Sequence, residues 1–175
     1  MNRKAWILPL LVFCCALLAD TSLLAIDSEL TRRTMCGLQG VNVMVEEVQP
    51  NIQKYAQKAG LTGDQIQRDV ESRLKTAGIR VYSGNDWLKV PGTPSLYINV
   101  NTHEYEKYWY AYDVKLELKQ MVSLDINPSI KTLASTWSLN MTGIANIGTL
   151  DSIRTNVARL TDKFIDAYRA ANQKK

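Results

Sequence analysis

The chain has 175 residues, 46% hydrophobic and 22% charged, a globular composition long enough for one domain and short for two. Its 21 Lys and Arg against 17 Asp and Glu give a formal charge of +4, dispersed without any run of five or six like charges. That argues against nucleic acid as a partner, while peripheral association with an anionic membrane surface stays open.

Residues 1–25 read as a secretory signal peptide. Met1-Asn2-Arg3-Lys4 supplies a positive start, and Ala5 to Ala19 is uncharged and almost wholly apolar. The run suits a signal and is short for a spanning helix, and Pro9 interrupts it. Ala19 and Ala25 are alternative cleavage points, with Leu17 and Leu23 at the −3 positions. An uncleaved N-terminal membrane anchor is the alternative. Cys14 and Cys15 read as apolar filler, because Val12 and Phe13 stand where a lipid-attachment signal needs small residues. Cleavage leaves Cys36 as the one thiol, so no intramolecular disulfide can form. It is expected to pack as a small apolar residue.

Residues 26–37 read as a linker, 38–172 as a single α/β domain and 173–175 as a tail. Within Leu38–Val48, Val41, Val43 and Val45 alternate with Asn42, Met44 and Glu46, the period of a half-buried strand. Pro50 ends the ladder, and Asn51–Ala59 is either a helical turn or an irregular connection. A helix starts at Thr62, where Thr62-Gly63-Asp64-Gln65 has capping-box spacing. Ile66, Val70, Leu74 and Ala77 share its apolar side, and Gly78 stands where a left-handed cap belongs. Ile79–Tyr82 is a short strand completing a βαβ unit, and Ser83–Pro94 a surface loop covering a sheet edge with Trp87 and Leu88.

Ser95–Val122 reads as a long hairpin. Leu96, Ile98 and Val100 face one way and Tyr97, Asn99 and Asn101 the other. On the second strand Tyr108, Tyr110, Tyr112, Val114, Leu116 and Leu118 share the covered face, opposite Trp109, Asp113, Lys115, Glu117 and Lys119. Asp125–Lys131 is expected to be a turn. A last strand, Leu133–Ile144, places Leu133, Trp137, Leu139 and Met141 together. A final helix, capped by Thr149 or Asp151, carries the stripe Ile153, Val157, Leu160, Phe164 and Tyr168. The order β-α-β-β-β-β-α implies a two-layer α/β sandwich, its mostly antiparallel sheet covered on one face by two helices.

The strand through Val41–Val48, the helix ending Leu74-Lys75-Thr76-Ala77-Gly78-Ile79, the long hairpin and the terminal helix together resemble exported bacterial envelope domains. The pattern looks like the two-layer domain of the outer-membrane lipopolysaccharide-assembly lipoprotein and is similar to the N-terminal domain of the Tol-system periplasmic propeller protein. The Ala77-Gly78-Ile79 step, Thr136-Trp137 and Ala171-Asn172 also resemble features of uncharacterised exported bacterial proteins. What these likenesses imply is a cell-envelope location and a partner in the envelope. No catalytic motif comes with them.

His103 is the sole histidine, so a zinc site would lack its three or four N/S ligands, and the reading is a solvated turn at the hairpin tip. No nucleophile elbow, zinc-protease helix, P-loop or dinucleotide fingerprint occurs. The sequence therefore gives no catalytic residue, no cofactor and no metal ligand. Tyr97 and Trp109, on the outer sheet face, with His103 and Tyr105 at the tip, are the candidate partner surface. The expected function is a non-enzymatic, exported cell-envelope module for binding or assembly, periplasmic or extracellular. The alternative is a carrier holding a small apolar ligand between sheet and helices. Oligomeric state cannot be read from the sequence.

Overall fold

The computed structural model describes residues 27–173. The segment read as a signal peptide, with Cys14 and Cys15, and the terminal Lys174 and Lys175 lie outside them. The described chain runs through α1 (Glu29–Arg32), a 3₁₀ turn (Arg33–Met35), β1 (Gly40–Val45), α2 (Pro50–Ala56) and α3 (Gly63–Thr76). Then come β2 (Arg80–Tyr82), a 3₁₀ turn (Asp86–Lys89), β3 (Ser95–Glu106), β4 (Trp109–Leu124), β5 (Asn127–Asn146) and α4 (Asp151–Asn172).

The five strands form one mixed sheet in the order β2-β1-β3-β4-β5. β1 is parallel to both of its neighbours, β2 and β3. The α2–α3 crossover brings β2 back parallel to β1, as a helical connection must. The loop after β2 then carries the chain past β1 to start β3, again parallel. Only β3–β4 and β4–β5 are antiparallel.

The helix α3 has the ends its sequence implied. The Thr62 hydroxyl accepts from the Gln65 amide at 3.2 Å. Gln65 does not reach back, however; its side chain donates to Asp69 at 2.8 Å, so the capping box is half made. At the other end Gly78 takes φ +80°, with bonds from Ile79 N to Leu74 O (2.9 Å) and from Gly78 N to Lys75 O (3.0 Å). That pair of bonds is a Schellman motif, and Ile79 is buried beneath it. The ambiguous stretch after Pro50 is helical, with the proline in the first turn where its missing N–H costs nothing. In α4 neither expected cap operates. Leu150 occupies the cap position, Thr149 accepts from the Asn146 amide, and Asp151 is a first-turn acid favoured by the helix dipole.

Ile66, Val70 and Leu74 of α3 and Ile153, Val157, Leu160 and Phe164 of α4 join one core with Leu96, Ile98, Val100, Val114, Leu116 and Leu118. Tyr110 and Tyr112 belong to it as expected. Tyr108 does not. It occupies the hairpin turn at φ +69°, 42% exposed, because β3 runs on to Glu106 and the chain turns at Lys107-Tyr108. His103, expected at the tip, is consequently a strand residue facing Ala111.

Two further corrections concern β5. The expected turn Asp125–Lys131 contracts to Asp125-Ile126, and β5 begins at Asn127. A bulge leaves Thr136 unpaired between the pairs Leu118–Trp137 and Lys119–Ser135. One inserted residue moves every side chain before it to the other face. Trp137 and Leu139 are therefore buried, while Leu133, expected beside them, pairs with Met121 on the outer face and is 47% exposed.

The stretch read as a linker is docked. Met35 is fully buried, Asn172 donates to Met35 O and accepts from Gly37 N, and Gln120 donates to Thr34 O. Asp27 accepts from the indole of buried Trp137 at 2.7 Å and from Arg32 at 2.6 and 2.7 Å. Leu88, expected over a sheet edge, is 53% exposed.

Candidate functional site

The outer sheet face, opposite the helices, divides into a polar middle and two apolar ends. In the middle, Glu46 accepts from the Tyr97 hydroxyl and from Asn99, and Asn99 accepts from Asn101. The Lys119 ammonium lies 3.5 Å from the Tyr97 ring centroid. Glu117, 8% exposed, is flanked by Lys115 at 2.9 Å and Lys119 at 3.8 Å. Burial, then the bond to Glu46, pushes the Tyr97 phenol up to about 12, so it stays protonated. Tyr97, a candidate contact residue from sequence, is thus held within a satisfied polar row.

His103 stands six residues further along β3, roughly 20 Å away at ordinary strand rise. The other three candidates do come together there. Tyr105 is the unpaired residue of a bulge between Glu104 and Glu106, and Trp109 pairs with Glu106. Their exposures are 51% and 40%. In the next rows Ala111 sits between His103 and Ile144. Tyr108 meets Tyr55 edge-on at 6.1 Å. An open depression of about 690 Å³ adjoins this aromatic end, lined by His103, Ala111, Thr142 and Ile144 with Gln49 and Asn101. His103 is exposed, and among the described residues no group of three His, Cys, Asp or Glu side chains could hold a metal ion.

The opposite end carries a feature the sequence reading missed. β3 pairs with β4 only as far as Lys119, and the preceding loop adds one bond, Met121 N to Gly92 O at 2.7 Å. Beyond that, β4 and β5 continue as a two-stranded arm. Met121, Leu124, Ile130 and Leu133 on it are 38–47% exposed, and Ile126 at its turn is 96% exposed. The available signal was an apolar residue every three or four positions on both sides of Asp125, without polar alternates facing a core. Reading 125–131 as a turn concealed it.

Cys36 is exposed and donates to Ala171 O at 3.3 Å, contrary to the packed position expected of it. Between α3 and α4, below Arg73 and Arg154, the enclosed space is about 10 Å³, on the order of a single water. No helix among the described residues is long and apolar enough to cross a membrane.

No family model matches the chain, and no curated protein matches it.

Proposed function

We propose that this is a non-enzymatic module of the cell envelope, exported by its N-terminal segment, that binds or assembles partners through the two ends of its sheet. In this reading the domain is a two-layer α/β sandwich, with α3 and α4 as the covering layer and the outer face turned to partners.

One observation carries the reading. Of the thirteen exposed large hydrophobic residues among those described, five (Tyr105, Tyr108, Trp109, Ile144, Ile147) cluster at the aromatic end and five (Met121, Leu124, Ile126, Ile130, Leu133) on the arm. Contact therefore belongs at the ends, because the middle is occupied by its own hydrogen bonds and ion pairs. Concentrated apolar exposure is a mark of interaction surfaces rather than of ordinary solvated sheet. Aromatic residues suit the first end to a protein partner, since they supply large contact area at low entropic cost. The resemblance of the element order to envelope domains and the apolar N-terminal run favour an envelope setting.

The test compares cross-linked cells carrying the native chain with cells carrying Trp109→Ala and Ile144→Ser together. Loss of a defined cross-linked complex, with the variant still folded and in the envelope fraction, is the expected outcome. An unchanged complex and unchanged envelope integrity would remove the aromatic end from the account. Recovery of the native chain in the cytosol would overturn the envelope setting itself. The alternative is a carrier of a small apolar ligand held between sheet and helices, and an added apolar mass in native mass spectrometry of the purified protein would favour it.

A further inference from the structure

We infer that the β4–β5 arm is a lipid-contacting element, its turn at Asp125-Ile126 entering the surface of an anionic bilayer. The inference rests on the envelope reading and names the partner of one of its two surfaces.

Asp27 is fixed by its bonds to Trp137 and Arg32, and Thr34 O accepts from Gln120 at the base of the arm. If the uncharged run Ala5 to Ala19 is kept as an uncleaved anchor, the chain enters the domain from it through Asp27, at the base of the arm. At the other terminus, Asn172 bonds to Met35 and Gly37, which places the C-terminal end of α4 at this same end. Lys174 and Lys175 follow it in sequence.

The arm has the composition a bilayer surface would select. Its turn exposes Ile126 almost completely, with Leu124 and Ile130 on either side. Its single acid, Asp125, is matched by Lys131 on β5, while Lys119 at the base is held by Tyr97 and Glu117. Apolar side chains that enter the acyl boundary while lysines stay among anionic headgroups are the two parts of interfacial binding. The ribbon's two open edges, and residues 128–130 outside the ladder, keep it at the interface, where water still reaches its backbone. With this end against lipid, the aromatic end points away from the membrane.

The experiment uses the full chain on vesicles of phosphatidylethanolamine and phosphatidylglycerol containing acyl-brominated lipid. Ile126→Trp places a fluorescent probe at the turn, and Lys58→Trp places one at the opposite end of the molecule. The native chain, with its own tryptophans, is subtracted. The probe at position 126 is expected to be quenched at least about threefold more than the probe at 58, as for a group at the acyl boundary. Adding Leu124→Asp and Ile130→Asp is expected to abolish that difference. All of these positions are solvent-exposed, and near-ultraviolet dichroism from Trp137 checks that each variant is folded. An unquenched probe at 126, or equal quenching at both positions, overturns the inference. So does a blue shift at 126 that grows with protein concentration without lipid, which would make a second copy the occupant. Quenching in a chain that fractionates with the cytosol would overturn the envelope reading and leave the lipid contact standing.

Discussion

Trp137 is fully buried and brings an N–H that must be satisfied inside the protein. Its acceptor is Asp27, 110 residues earlier, whose carboxylate also receives both nitrogens of an Arg32 fork. Asp27→Ala leaves that indole N–H without its partner and is expected to cost about 1–3 kcal/mol in denaturant unfolding. The same carboxylate gives a pH signature. The Arg32 bonds hold it below the usual range, with Trp137 adding to the effect against the opposing influence of burial. Its stabilising contribution is complete above the unfolded value of about 3.9 and is lost as pH falls through the lower folded value. Asp27→Asn should therefore flatten the fall in stability below about pH 4 relative to the native chain. Equal acid limbs in unfolding titrations of the two chains would contradict this. Asn172 acts in parallel, tying the last turn of α4 to Met35 and Gly37. Two of the three sequence features that resembled exported proteins, Thr136-Trp137 and Ala171-Asn172, thus both secure the N-terminal lead-in.

Among the elements, α3 was legible because its signals are local: a hydroxyl at one end, Gly78 at the other and a regular apolar stripe between. The β3–β4 pairing was legible for the same reason, its alternation holding from Leu96 to Val100 and from Tyr110 to Leu118. The bulge at Thr136 was not, because alternation alone cannot say where a residue is skipped. Its position is fixed by contacts from elsewhere, with Gln120 donating to the Thr136 hydroxyl at 2.7 Å. Leu133 was consequently placed on the wrong face, and the arm went unseen. The lead-in was unreadable too, since the bonds that dock it on the sheet and on α4 span 86 to 137 residues. Further along β5, Gly143 is demanded by packing: a Cβ there would lie 2.4 Å from the hydroxyl of Tyr112, which crosses it to accept from Asn156 at 2.6 Å. Gly143→Ala must displace that ring and is expected to cost about 1–3 kcal/mol. Calorimetry should show a loss of about 2–4 °C per kcal/mol for a domain of this size. An unchanged melting temperature would mean that Tyr112 has another place to go.

At the scale of the molecule, the sheet holds a polar, self-satisfied middle between an aromatic end and an apolar arm, with both ends of the described residues gathered at the base of the arm. Of the four candidate contact residues read from sequence, His103, Tyr105 and Trp109 meet at one end, while Tyr97 is taken up by Glu46 and Lys119. The central claim is that contacts are made by the ends and not by the middle. The most direct measurement places a photoreactive residue at Trp109, Asn99 or Ile126 in turn, in the full chain, and identifies what each captures in living cells. The account predicts protein adducts from position 109, lipid adducts from position 126 and none from position 99. Adducts from position 99, with neither end captured, would contradict it.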